Sequence, residues 1–342
     1  MKYKALRELG YIMLGPVIGP FAISCAKKVI EDGVSTAFIS REGFHLRRLV
    51  RHCLSGFGHQ ATAPLHHVAA SRAFLFKLTL GKEQLLPLAL SHPFEGSVAD
   101  LLEGRFALSP SDMATIGPTP RVRVSLPRDA ELVAGIINNI TAPIHAEIEG
   151  KREIYREYIM TFLGSRKNLL CVDVGFAGTI QRLLSDIYNI KTQGYYMFFS
   201  GSDAIKADGF WSSDAKHGAG DALVDLSLVL EAVLTAPTGQ LRDVRRDDSG
   251  KIDFLYGPLT RVQDEFHITY ALVDGVKDFI DAAACLGDQN IDQIIDVRKN
   301  FLIQLRHNRS REAESLRCLL EVDDCISGNG LIRPFQFLPG LR

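Results

Sequence analysis

NLLCVDVGFAGT, residues 168–179, joins an apolar run to an aspartate, two glycines and a threonine, and IQRLLSDIY follows it with helical spacing. Asn168 to Val174 is too short and too continuously apolar for an amphipathic helix, so it reads as a strand buried on both faces. Asp173 arrives at the end of that strand. Gly175 and Gly178 let the backbone turn tightly or come close to a ligand, and Thr179 opens the next helix. Free N–H groups and the positive end of the helix dipole at such a turn suit a phosphate or another anion. Asp173 is the candidate to bind a sugar hydroxyl, a divalent cation such as Mg²⁺, or a catalytic proton; the alternative is an aspartate that caps its own loop.

Three more runs have the same character: STAFIS (35–40), LHHVAA (65–70) and QGYYMFFS (193–200). The first leads into REGFHLRRLVRHCL, where Phe44, Leu46, Leu49, Val50 and Cys53 form a helical stripe. The second is followed by Ser71, a residue type that caps helices, then Arg72 and AFLFKLTL. Strands separated by helices pair in parallel. The expected fold is therefore α/β, an open, mostly parallel Rossmann-like sheet. Ligands of such sheets sit beyond the carboxyl ends of the strands, where Ser40, Arg41, Glu42, Gly43, Ser71, Arg72, Asp173, Thr179 and Ser200 fall.

About residues 78–165 lack clear strand signals and read as a helical insertion, a cap, with a Pro-rich turn at Gly117 to Pro120. The core with this cap spans 1–225. A mainly helical C-terminal region, 226–342, packs on it and contains a hairpin around Ser249-Gly250. In a chain of 342 residues, 39 Lys+Arg balance 40 Asp+Glu, which excludes a broadly basic nucleic-acid-binding surface and an acidic tail. The six cysteines form no CxxC pair and are expected reduced and buried, in the cytoplasm. Tyr11 to Ala26 is apolar, but shorter than the ~20 residues of a membrane span and lacking signal-peptide flanks. It is expected to be buried structure, with membrane association only through partners.

Arg41 is the candidate for a bidentate phosphate or carboxylate contact, Glu42 its structural partner or an acid/base, and Arg72 a second cation nearby. The bland reading of Arg41-Glu42 is a surface ion pair. His45, His66 and His67 lack metal-ligand spacing, since adjacent strand residues point to opposite faces. No GxSxG elbow, P-loop or strand-borne GxGxxG occurs. Glu231 interrupts the apolar helix of LVLEAVLTAPTGQL (228–241), so it needs a partner or a function.

The order LGPVIGPF (14–21), FISREGFHLRRL (38–49), VAASRAF (68–74), LCVDVGFAGTIQRLL (170–184), GYYMF (194–198) and LEAVLTAPTG (230–239) resembles the module that follows the phosphatase-like domain in bacterial predicted HAD-superfamily hydrolases. Those proteins are linked to surface polysaccharide and glycosyltransferase gene clusters. The resemblance implies that Arg41, Glu42, Ser71, Arg72, Asp173, Gly175, Gly178, Thr179, Gln181 and Glu231 are site residues. It also implies a phosphorylated sugar or nucleotide-sugar as ligand, with Asp173, Glu42 and Glu231 carrying any catalysis. The DxDx(T/V) motif of HAD phosphatases is absent: Gly175 stands where the acid/base would be, so classical HAD catalysis is not expected. A partial imitation uses Asp173, Ser200, Lys206 and Gly220 to Asp225. Two alternatives stay open, a non-catalytic binding or scaffold module for a glycosyltransferase and a phosphoribosyltransferase-like enzyme, to whose phosphate loop LCVDVGFAGT is similar.

Overall fold

A computed structural model describes residues 3–56, 58–59, 63–120, 122–163, 168–201, 205–211, 228–284, 322–324, 328 and 330–332. Its centre is an all-parallel sheet formed by β1 (Ser35–Ile39), β2 (Leu65–Val68), β5 (Asn168–Asp173), β6 (Lys191–Phe198) and β7 (Ala207–Trp211). The spatial order is β2-β1-β5-β6-β7. Counted along the sheet strands alone this is the doubly wound order 2-1-3-4-5, an open Rossmann-like α/β fold. β7 was not foreseen: ADGFW is a short edge strand with no apolar run, and its first residues are partly exposed.

Side chains alternate across each strand, and the core divides accordingly. Phe38, Leu170, Val172 and Met197 point to one face. Ala37, Ile39, Leu169 and Cys171 point to the other. The first face is covered by α1 (Tyr3–Leu9), α2 (Gly15–Asp32), α3 (Gly43–Gly56), a helix at 228–234 (α11) and α13 (Phe266–Ala284). A π-helical turn, Gly10–Leu14, joins α1 to α2. The apolar segment is thus longer than its sequence suggests. The continuous helix Tyr3–Asp32 has 30 residues and mean hydropathy 1.6 in its most apolar window, enough for a span by length and composition; 61% of that window is buried within the fold.

The second face is covered by α4 (Arg72–Lys77), α5 (Leu86–Leu90), α6 (Val98–Arg105), α7 (Pro110–Ile116), α8 (Ala130–Thr141), α9 (His145–Met160) and α10 (Thr179–Tyr188). The insertion shares one apolar core with the sheet and covers its second face. It also holds a two-stranded antiparallel ribbon, β3 (Phe94–Ser97) with β4 (Arg123–Leu126), which the sequence did not announce because FEGS and RVSL are too short and polar. Ser97 and Ser109 start α6 and α7 through capping boxes with Asp100 and Asp112.

The C-terminal region serves both faces. α13, preceded by the single turn α12 (Arg261–Asp264), packs on α1, α2 and α3. The expected hairpin is present as β8 (Leu241–Arg246) and β9 (Ile252–Tyr256), turning at Gly250 and packing on α4 and α9. A small ribbon pairs β10 (Val322–Asp324) with β11 (Gly330–Ile332). Cys25, Cys53 and Cys171 are free and buried; Cys285, Cys318 and Cys325 lie outside the described residues.

Candidate functional site

The chain leaves β1 in one direction toward β2 and reaches β5 on the other side of it, so the loops after β1 and β5 diverge. In open α/β sheets this switch point forms a crevice. Register fixes its walls: Phe38 pairs with Val172, so the turn from Ser40 lies beside Asp173. A cavity of about 530 Å³ occupies this position. It is lined by Ser40, Arg41 and Glu42 from the β1 loop, Ser71 and Arg72 from the β2 end, and the continuous stretch Asp173 to Ile180. Glu231 of α11 and Gln240, just before β8, close another side, and His92 enters from the insertion.

Local chemistry explains these positions. Ser40 has φ +62°, left-handed for a residue with a Cβ, a conformation that costs about 1 kcal/mol or more. Its backbone is held there: the Ser40 N–H donates to Val68 O at 3.1 Å, and His67 Nε2 lies 2.8 Å from Ser40 O. Ser71 caps α4, accepting from Phe74 N–H, and donates to Leu241 O at 2.6 Å. It ties the hairpin to the β2 end as well as lining the cavity. Gly178, at φ +65°, is the N-cap of α10, and no side chain caps that helix. The first turn of α10 lines the cavity with its N–H groups uncapped, where the helix dipole favours negative charge. The Gly175-Phe176 peptide in this loop is cis.

Two sequence candidates lie elsewhere. Gly43 does not line the cavity; a Cβ there would come within 2.4 Å of the Phe38 carbonyl carbon, so its role is to let α3 pack on β1. Gln181 is 1% exposed and works beneath the floor, accepting from Tyr196 Oη at 2.8 Å and donating to Lys206 O and Thr192 Oγ1. It joins α10 to β6. Ser200 and Lys206 do not line the cavity either, and Gly220 to Asp225 lie outside the described residues, so the partial HAD arrangement is not assembled among described groups. His92 and Gln240 were missed. Gln240 follows the turn noted after Glu231, whereas His92 has no signal in the sequence.

Charge sets the chemistry. Arg41 and Glu42 are both largely buried and their nearest charged atoms are 4.0 Å apart, so they are not a surface ion pair. Burial raises the Glu42 carboxyl above its ordinary range, opposed by Arg41, by its own backbone N–H and by Arg72. Asp173 is raised well above the usual carboxylate value by burial first, then by the charges of Glu42 and Glu231; the Val174 N–H at 2.8 Å and Arg72 oppose this. Burial and the charges of Arg72 and Arg105 lower the His92 imidazole, favouring its neutral form. The crevice thus holds two guanidinium groups beside carboxyl groups biased toward protonation. Among the described residues, no group of three or more His, Cys, Asp or Glu side chains is arranged to hold a metal ion. Neither known protein-family models nor curated proteins show a match to this chain.

Proposed function

We propose that the chain binds a phosphorylated sugar or nucleotide-sugar at the switch-point crevice and acts on it in the assembly of surface polysaccharide, as a HAD-like-family module without classical HAD catalysis. The observation that carries this reading is the convergence of Arg41, Arg72 and the uncapped N-terminus of α10 on one cavity. Two guanidinium groups and a helix terminus are a sufficient anchor for one phosphoryl group. The surroundings of Asp173 favour its neutral form, which would donate a proton to the leaving oxygen, with Glu42 or Glu231 to receive one. Placing these groups where charge develops is what phosphoryl or glycosyl-phosphate transfer requires.

The test is thermal denaturation with sugar phosphates, nucleotide sugars and phosphoribosyl diphosphate, each with and without Mg²⁺. A saturating ligand stabilises the fold by about 2–4 kcal/mol, and Mg²⁺ dependence would identify a cation carried by the ligand. No shift with any phosphorylated compound sinks the reading. The preference for phosphoribosyl diphosphate would favour the phosphoribosyltransferase-like alternative. The non-catalytic alternative, a binding module serving a glycosyltransferase, draws support from Gly175 at the acid/base position. It is preferred if Asp173→Ala and Glu42→Gln leave affinity and pathway output intact while Arg41→Ala removes binding.

A further inference from the structure

Three residues that line the same cavity each carry a buried polar side-chain atom without a hydrogen-bond partner: Ser40 Oγ, His92 Nε2 and Gln240 Oε1. Buried polar atoms are paired in the great majority of cases, and each exception calls for an explanation. Their chemistry differs from that of the arginines. A serine hydroxyl gives and accepts, a neutral imidazole nitrogen does one or the other according to tautomer, and an amide oxygen only accepts. Gln240 Oε1 therefore needs a donor, which a phosphate oxygen is not and a sugar hydroxyl is.

The placement of His92 is fixed by a costly device. Arg105 is fully buried, and its guanidinium donates to the carbonyls of Ala89 at 3.0 Å, His92 at 2.8 Å and Pro93 at 2.6 Å. A buried arginine spent on three carbonyls of one turn holds that turn rigidly, and with it the backbone of the imidazole that reaches the cavity.

We propose that Ser40, His92 and Gln240 read the ring hydroxyls of the ligand, and that Arg105 positions His92 for this. The inference rests on the phosphate-site reading above and narrows it: the ligand is a cyclic sugar phosphate recognised through both its hydroxyls and its phosphate. A site built to hydrogen-bond a hydroxyl discriminates strongly against a compound lacking it, because its own buried groups are then left unpaired.

The experiment is calorimetric titration of the full chain with inorganic phosphate, glycerol 3-phosphate and a panel of hexose and pentose 1-phosphates. Expected is at least tenfold tighter binding of one sugar 1-phosphate than of inorganic phosphate. His92→Phe and Gln240→Met should each remove most of that preference while leaving inorganic phosphate affinity unchanged, and His92→Gln should restore part of it. Arg72→Ala should weaken every probe. If no sugar 1-phosphate exceeds inorganic phosphate, or the two variants keep the preference, or they weaken all probes alike, hydroxyl reading is overturned while the phosphate site stands. If no probe binds at all, both fall. Unfolding midpoints of the same samples show that each variant is folded.

Discussion

Two groups of buried charge among the described residues are built on opposite plans. Behind α4, Lys77 is fully buried and its Nζ lies 2.7 Å from Asp112 Oδ2 and 2.9 Å from Asp243 Oδ2. Lys151 joins Asp243 at 2.6 Å and Glu147 at 2.8 Å. Burial alone would raise the Asp112 carboxyl, but the hydrogen bonds from Lys77 and from the Ser109 backbone hold it below its ordinary value. Every charge there has a close opposite neighbour. In the switch-point crevice Arg41 and Glu42 stand 4.0 Å apart, and Asp173 and Glu42 are driven up rather than down. A closed network holds elements together, whereas carboxyl groups pushed toward neutrality beside arginines are the arrangement on which the proposed function rests.

The largest effect is expected where the closed network is broken. Lys77→Met leaves Asp112 as an uncompensated buried charge and should cost about 3–5 kcal/mol, read as a lower midpoint in urea denaturation. Arg72→Met in the crevice should cost under about 1 kcal/mol, because it also relieves no close pair, yet abolish the 2–4 kcal/mol of stabilisation expected from a bound sugar phosphate. If Arg72→Met proves as destabilising as Lys77→Met, the distinction between the two plans fails.

How much of this was legible beforehand follows from the same physics. Strand runs such as STAFIS and NLLCVDV are apolar because both sheet faces are covered, so the parallel core and the residues at its strand ends could be read directly. Arg41, Glu42, Arg72, Asp173 and Thr179 were placed at strand ends, and they converge on one cavity. Gly43 and Gln181 do not line that cavity, because the one packs α3 on β1 and the other joins α10 to β6. His92 was invisible: its position depends on Arg105 gripping a turn in the insertion, a contact with no periodic trace. β7, β3 and β4 escaped because short edge strands and ribbons need no apolar run.

A third buried group separates acid behaviour from both regions. His45, on α3, is stacked on Phe266 and edged by Phe44 and Tyr270. Burial, aided by Arg48, pushes its imidazole down to about 3. In the unfolded chain it titrates near its ordinary ~6.5. Its contribution is complete above that pH and is lost as pH falls toward 3, because only the unfolded state takes the proton. Between pH 6.5 and 4.5 this amounts to about 2 kcal/mol. His45→Phe, matched in size to its aromatic surroundings, should flatten stability over that range. An unchanged acid slope would show that His45 is protonated in the folded protein.

With that background removed, the crevice should reveal itself at the alkaline side. Asp173 has a raised value when folded, so between its ordinary value near ~4 and its folded value the native state binds more proton than the unfolded chain. Stability therefore falls as pH rises through this window. Asp173→Asn keeps an oxygen for the Val174 N–H and removes the charge that Glu42 and Glu231 oppose. It should raise stability by about 1–2 kcal/mol at pH 8, with the gain vanishing toward pH 4. The corresponding change in the closed network, Asp112→Asn, should do the reverse and destabilise at pH 8, since Asp112 is held low by Lys77. Opposite signs for two Asp→Asn exchanges in one molecule, measured by thermal denaturation across pH, would separate a carboxyl kept for chemistry from one kept for structure. Equal signs would mean that Asp173, too, is paired.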